Sequence, residues 1–447
     1  MGRRLGPPRV IRGAATAVSR LVLRVFYRRV EASGLERIPA AGPTILVLNH
    51  PNGLMDPLLL LCLSPRPVAF LAKSPLFSMP FVSLFVKAFD SIPVYRPQDA
   101  DADVRRNRET FAAARALLKR GGVLALFPEG ISHDAPRLMP LKSGAARIAL
   151  GAAAEGPVTI VPAGLTYEAR DLFRSEALLR VAEPFTVEPI PLDEKGEPPR
   201  TAVKALTDRV RAALEGATLQ ADDREALALA TFAEALLPGG GEAEGLEARL
   251  ARRQLLLEGA GRLRESGPER LAALAARLRR FSRVLDAAGL VPAGLDAGAA
   301  RAELAASTFT ALLVALFLAP PALLGLLAHA PAYNLIGPLA RRLSRGDADM
   351  VATIKVLGAF VFFPLTWIAL GTAAGLAWSL PLGLLVGLAL PLCGTLALLL
   401  LERWEATSAA LRALGLSLFR RRAFARLLAE RAAISAEIEL LAADRRM

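Results

Sequence analysis

The sequence predicts a layered α/β domain, preceded by an amphipathic N-terminal helix and followed by a helical region and a C-terminal α-helical membrane region. Three observations carry this reading. Residues 34–190 alternate short apolar, β-branched runs with helix-period segments, the pattern of a sheet covered by helices. Residues 200–300 are dominated by Ala, Leu, Glu and Arg at helical spacing. From Leu304 to Ala340, and again from Val356 to Leu401, no Lys, Arg, Asp or Glu occurs. The expected division is therefore 1–33, 34–199, 200–301, 302–405 and 406–447.

Residues 1–33 interleave Arg3, Arg4, Arg9, Arg12, Arg20, Arg24, Arg28 and Arg29 with Val10, Ile11, Val18, Leu21, Val22, Val25 and Phe26. The longest gap between these arginines, Arg12 to Arg20, is too short for a membrane span. The spacing suits an amphipathic helix on an anionic membrane surface, or one packed on the following domain. Thr44–Leu48 reads as a buried strand, and Asn49 to Gly53 as a turn. Asp56-Pro57 opens a helix, with Asp56 suited to cap it.

Val68–Ala72 is a strand ending at Lys73, and residues 75–88 are helical despite Pro80. Ile92-Pro93-Val94-Tyr95-Arg96 is a strand that closes on an arginine. Residues 103–120 form a helix stopped by Gly121-Gly122. Val123–Phe127 is a buried strand that delivers Pro128-Glu129-Gly130. A helix from Ala145 to Ala154 and a strand from Val158 to Leu165 complete the alternation. The 200–301 helices, broken at Pro238-Gly239-Gly240-Gly241 and Gly267-Pro268, carry no catalytic signal and read as a cap or partner-binding bundle.

The second charge-free run fits a hairpin of two spans over 356–401, about 20 residues each, turning near Trp378-Ser379-Leu380-Pro381. Pro320-Pro321 splits the first run, and His329 reads as interfacial. Loop 341–355 is basic, and so is the tail with Arg403, Arg412, Arg420, Arg421 and Arg422. Both belong on the cytoplasmic side by the positive-inside rule. The stretch 304–340 is then expected to enter and return as a short hairpin or in-plane element, with three simple spans as the alternative. Residues 406–447 read as a basic amphipathic tail.

The chain has 447 residues and a net charge of +13, which favours phosphate-bearing partners. Only 6% of residues are aromatic and no nucleic-acid motif is present, so anionic lipid is expected rather than nucleic acid. With 2 Cys and 3 His, neither a disulfide framework nor a metal site is expected. Cys62 reads as a buried, inert thiol.

His50 and Asp56 share one strand-to-helix turn. A carboxylate that orients an imidazole leaves the other ring nitrogen to take a proton from a hydroxyl. Asn49-His50-Pro51-Asn52-Gly53-Leu54-Met55-Asp56, Ile92-Pro93-Val94-Tyr95-Arg96, Phe127-Pro128-Glu129-Gly130 and Val161-Pro162-Ala163 together resemble the four ordered blocks of the glycerolipid acyltransferases.

The resemblance covers about residues 34–190. It implies a layered acyltransferase domain that moves a fatty acyl group from acyl-CoA or acyl carrier protein to a glycerol hydroxyl. The implied acceptor is glycerol-3-phosphate or dihydroxyacetone phosphate, with lysophosphatidate or another lysophospholipid as the alternative and a non-catalytic lipid-binding membrane protein as a remote one. It further implies His50 as general base, Asp56 as its partner, and Arg96, Glu129 and Gly130 as acceptor-binding, with no cofactor beyond the acyl thioester substrate. Lys73 and Lys142 are further phosphate candidates.

The sequence departs from the family pattern in three places. The His50–Asp56 interval is one residue longer than usual, Asp90 stands where the family has glycine, and Ile131-Ser132-His133 lacks the usual cation at 132. Lys142, Arg137 or His133 is expected to replace that cation. The implied location is the cell membrane, with the catalytic domain on the cytoplasmic face.

Overall fold

The structure, a computed structural model, describes residues 9–79, 82–96, 106–170, 172–194, 196–239, 244–292, 295, 301–344 and 348–443. Arg3, Arg4, Pro80, Gly240, Gly241, Arg345 and the expected helix start at 103–105 lie outside them. The chain divides into one unit of residues 1–224 with 245–251 and another of 225–244 with 252–447.

The first unit is built on an eight-stranded sheet. Its strands are β1 (Tyr27–Ser33), β2 (Thr44–Leu48), β3 (Val68–Lys73), β4 (Ile92–Val94), β5 (Val123–Leu126), β6 (Val158–Tyr167), β7 (Ser175–Val181) and β8 (Phe185–Val187). The order is β1-β7-β6-β2-β5-β3-β4, with β8 also paired to β6. β2 is flanked by parallel β5 and β6, with Ile45 opposite Leu124 and Leu48 opposite Ala163. β3 and β4 extend the parallel set, so β2, β3, β4, β5 and β6 end at one edge of the sheet. Open α/β sheets bind ligands at that edge.

β2 and β5 are buried throughout, which is why each reads as an unbroken apolar run rather than an alternating one. Helices α1 (Arg9–Phe26), α2 (Met55–Leu63), α3 (Val82–Ala88), α4 (Asn107–Lys119), α5 (Gly144–Ala153) and α6 (Arg200–Ala217) complete the unit. Ile148 and Leu150 of α5 and Val210 and Leu214 of α6 join Ile45, Leu124 and Ile160 in one core. The expected boundary after residue 199 is therefore displaced, because α6 is part of the sheet domain.

Three local departures have clear causes. The N-terminal helix stops at Phe26, and residues 27–33 form β1, parallel to β7, because an edge strand accepts the arginine-rich alternation that a helix read would place on one face. α1 buries Val22 and Leu23 while exposing Val10, Val18 and Leu21, so it has both a packed face and an open apolar one. Asp90 holds φ +52, the left-handed conformation that glycine favours, and pairs with Arg12 at 3.0 Å.

The second unit holds α7 (Arg224–Leu236, from Glu225), α8 (Leu246–Ser266, from Arg252), α9 (Pro268–Ala288), α10 (Arg301–Leu343), α11 (Ala348–Ala377), α12 (Leu380–Phe419) and α13 (Arg421–Ala443). Within α10–α12, the stretches Leu316–Leu343, Ile354–Ala377 and Leu380–Trp404 are each long and apolar enough to cross a membrane. The stretch 304–340, expected to enter and return as a short hairpin or in-plane element, lies within one helix, α10, although it contains Pro320, Pro321, Pro331 and Pro338. Neighbouring helices re-satisfy the backbone that prolines free, so such residues need not end an apolar helix.

Glycines set the contacts among these three helices. A Cβ on Gly383 would lie 2.5 Å from the Gly371 carbonyl, and one on Gly325 would lie 2.1 Å from that of Cys393. His329 bridges two helices: Nδ1–H donates to the Gly325 carbonyl at 2.7 Å, and Nε2 accepts from Trp367 Nε1–H at 2.8 Å. It fastens α10 to α11.

In the first unit, a Cβ on Gly164 of β6 would lie 2.1 Å from the Ala217 carbonyl at the end of α6. Gly164→Ala is expected to lower stability by about 1–3 kcal/mol, read as a lower thermal unfolding midpoint in detergent.

Candidate active site

β2 ends at Leu48, and Asn49 replaces its next ladder bonds with a side chain. Asn49 Nδ2 donates to the Leu165 carbonyl at 3.0 Å, and Leu165 N–H donates to Asn49 Oδ1 at 2.7 Å. That bracket fixes where the chain leaves the sheet, and His50 follows immediately.

His50 Nδ1 donates to Asp56 Oδ2 at 2.7 Å. The same oxygen accepts Asn52 N–H at 2.8 Å, and Oδ1 accepts the Tyr167 hydroxyl at 2.5 Å. The His50 ring stacks on Phe127 at 3.9 Å and 9°. Asp56 is fully buried, whereas the His50 side chain keeps 17% of its surface. Among the described residues, Nε2 of His50 has no hydrogen-bond partner. Burial pushes the Asp56 carboxyl upward, opposed by its bonds to His50, Tyr167 and Asn52. Burial and the Asp56 charge push the Tyr167 phenol upward as well, so it remains a donor.

Asp56 is not the helix cap. α2 begins at Met55 after Leu54, and the carboxylate turns back to Asn52 N–H and His50. A cap position and an orienting position need the same residue type, so composition alone does not separate them.

Glu129 is buried and faces inward. Its Oε1 accepts His50 N–H at 3.0 Å, and Oε2 accepts Met139 N–H at 2.8 Å and is bonded to His133 Nε2. His133 N–H donates to the His50 carbonyl at 3.1 Å. Both oxygens of Glu129 are thus engaged in holding the His50 loop, and His133 is engaged with them. Arg170 adds another clamp by donating to the Pro51 carbonyl at 2.9 Å.

Gly130 N–H closes the Phe127 turn at 3.0 Å, so the backbone donor expected to face an anion is used internally. Its carbonyl accepts Arg96 Nη1 at 3.2 Å. A Cβ on Gly130 would lie 2.8 Å from Lys142 Nζ. Gly130 therefore combines φ +74 with a position where side-chain bulk meets a lysine, and two cations converge on one turn. Lys73 stands at the end of β3, opposite Val94 two residues before Arg96. Arg96 and Lys142 both reach the Gly130 turn, while position 132 carries a serine. Cys62 lies in α2 with its thiol pushed up to about 11 by burial, an environment that disfavours the thiolate.

Tyr167 and Asn49 received no role from the sequence. Tyr167 lies past the fourth block on β6, and only the pairing of β6 with β2 brings it to Asp56. Its apolar strand context gave no sign of a carboxylate partner.

Residues 29–166 match the Acyltransferase family model. An uncharacterised acyltransferase of Schizosaccharomyces pombe is 27% identical over 46% of this chain and 44% of its own length. Glycerol-3-phosphate O-acyltransferase 2 of Saccharomyces cerevisiae is 40% identical over 27% of this chain and 17% of its own. A chloroplastic 1-acyl-sn-glycerol-3-phosphate acyltransferase of Brassica napus is 30% identical over 31% and 37%. The chain thus spans less than half the length of each of these relatives.

A hydrogen bond to a charged group contributes about 1.5–3 kcal/mol. Tyr167→Phe is expected to lower the rate of the site's reaction roughly tenfold with the acceptor KM unchanged. A Michaelis constant that rises while kcat holds would remove Tyr167 from the orientation of His50.

Proposed function

We propose that this protein, with an acyltransferase-family segment at residues 29–166, is a membrane-bound O-acyltransferase of phosphatidic acid synthesis. It moves a fatty acyl group from acyl-CoA or acyl carrier protein to a hydroxyl of glycerol-3-phosphate or dihydroxyacetone phosphate. The observation that carries the reading is the His50–Asp56 pair, oriented through Nδ1, with Nε2 directed away from the carboxylate.

In the proposed step, the acceptor oxygen attacks the thioester carbonyl carbon as His50 Nε2 takes the hydroxyl proton. The tetrahedral intermediate collapses, the carbon–sulfur bond breaks, and the protonated imidazole returns the proton to the leaving thiolate. General-base assistance of this kind contributes about two to four powers of ten. Asp56 stabilises the imidazolium that forms between the two transfers. Arg96 and Lys142 would receive the acceptor phosphate, the arginine through its planar fork and the lysine as a point charge. Lys73, at the same strand edge, would serve the phosphate of acceptor or donor.

The 40% identity to part of a glycerol-3-phosphate O-acyltransferase supports the first acceptor class. The 30% identity to part of a 1-acyl-sn-glycerol-3-phosphate acyltransferase keeps lysophosphatidate as the second reading. The exposed apolar stripe of α1 and its arginines suit an anionic bilayer, and a cytoplasmic catalytic face would meet activated acyl donors.

The test uses the purified full chain in detergent, with labelled palmitoyl-CoA or palmitoyl carrier protein. Glycerol-3-phosphate, dihydroxyacetone phosphate and lysophosphatidate are offered in parallel. His50→Ala is expected to lose at least about a hundredfold in kcat while remaining folded. Unchanged transfer by this variant overturns the base assignment, and transfer only to lysophosphatidate overturns the acceptor. Lys142→Ala is expected to raise the acceptor KM about tenfold, the loss of roughly one charge-assisted bond. An effect on kcat alone contradicts a phosphate contact.

A further inference from the structure

The second unit contains a packing relation that restricts how its helices meet a bilayer. α9 precedes all three span-length stretches, and α13 follows them. The two nevertheless share one core, in which Leu278 and Phe281 of α9 meet Ile434 and Ile438 of α13. Arg277 donates to Glu430 at 2.8 Å and to Glu437 at 2.7 Å. α7 joins the same assembly, because Arg431 and Ser435 both donate to the Leu236 carbonyl at 3.0 Å. At its other end, α9 reaches α12 beyond the apolar stretch: a Cβ on Gly289 would lie 3.1 Å from the Arg412 side chain. Ion pairs and partly exposed arginines of this kind belong in water.

Two segments packed into one water-facing bundle lie on one side of a membrane. The chain between them therefore crosses an even number of times. Among the described residues three stretches are long enough to cross, so at least one of them does not. We infer that α7, α9 and α13 occupy one membrane face, that α11 and α12 cross as a hairpin, and that α10 enters the bilayer and returns to the face it started from.

α10 is the stretch that fits the exception. It is the least apolar of the three and carries four prolines, against one in each of α11 and α12 beyond the helix start. Its 43 residues make about 64 Å of helix, roughly twice the hydrocarbon thickness. α12, at 40 residues, is nearly as long, so the prolines rather than the length single out α10. The α11–α12 pair has the close glycine contacts of a transmembrane hairpin, with Gly371 and Gly375 both meeting Gly383. The arrangement places Arg341, Arg342, Arg420, Arg421 and Arg422 on one face, as the positive-inside rule requires. It does not depend on the acyl-transfer reading.

The test is cysteine accessibility in sealed membrane vesicles of known sidedness, using the full chain with Cys62→Ala and Cys393→Ala. Single replacements Val284→Cys, Leu343→Cys, Ser379→Cys and Leu440→Cys are labelled with a membrane-impermeant maleimide. All four positions are exposed. Positions 284, 343 and 440 are expected to label from one face, and 379 from the opposite face. Labelling of 284 and 440 from opposite faces overturns the even count. Labelling of 343 opposite 284 overturns the return of α10, and labelling of 379 with 284 overturns the hairpin. If the cysteine-free protein fails to accumulate, epitopes inserted at Gly267 and appended after Met447 in the native-cysteine chain test the parity. Antibody access to both from one face supports it, and access from opposite faces refutes it.

Discussion

One buried carboxylate sets the geometry of the candidate active site. Asp56 has no solvent exposure, and burial raises the cost of its charge. Three donors offset that cost: the His50 ring, the Asn52 backbone and the Tyr167 hydroxyl. They come from the turn after β2 and the far end of β6, while the acceptor sits in the first turn of α2. The carboxylate is satisfied only when those elements are in register. Orientation of the imidazole is therefore a consequence of sheet order, because β6 must lie beside β2 for Tyr167 to reach Asp56.

The second carboxylate of the motif set does different work from the one its position suggests. Glu129 binds the His50 amide, the Met139 amide and His133, so its charge is consumed in fastening the loops around His50. This leaves positive charge to dominate the next turn, where Arg96 meets the Gly130 carbonyl and Lys142 approaches the same glycine. An acidic group aimed outward there would oppose an anionic acceptor. Turned inward, it stiffens the loop without doing so. Two carboxylates one strand apart thus separate into an orienter and a brace.

Much of this was legible in the sequence where one physical signal dominated. The buried strands β2, β5 and β6 announce themselves as β-branched runs closed by turn residues, and the charge-free runs mark the apolar helices. His50 and Asp56 were legible because a short interval forces proximity. The failures have a common form. Tyr27 to Ser33 carries a basic, amphipathic composition that both a helix and an edge strand tolerate, and only its pairing with β7 decides. The inward turn of Glu129 depends on amides at positions 50 and 139, which no local pattern connects. Tyr167 becomes part of the site through strand adjacency, and His329 becomes an inter-helix fastener through Trp367, thirty-eight residues away.

The same contrast between local and long-range information bears on the C-terminal helices. Length and hydropathy pass α10, α11 and α12 all as possible spans, since each criterion considers one segment at a time. Packing does not: the Arg277–Glu430–Glu437 cluster joins a segment before the three helices to one after them. Charge placement reaches the same parity from a different direction, through arginines flanking the apolar runs. The two arguments share no residues, because Arg277 plays no part in counting loop charges and Arg341 and Arg342 play none in the α9–α13 core. Proline content then selects which helix yields. A helix whose backbone hydrogen bonds are interrupted four times bends more readily than its neighbours, and α10 alone combines that weakness with a length well beyond one crossing.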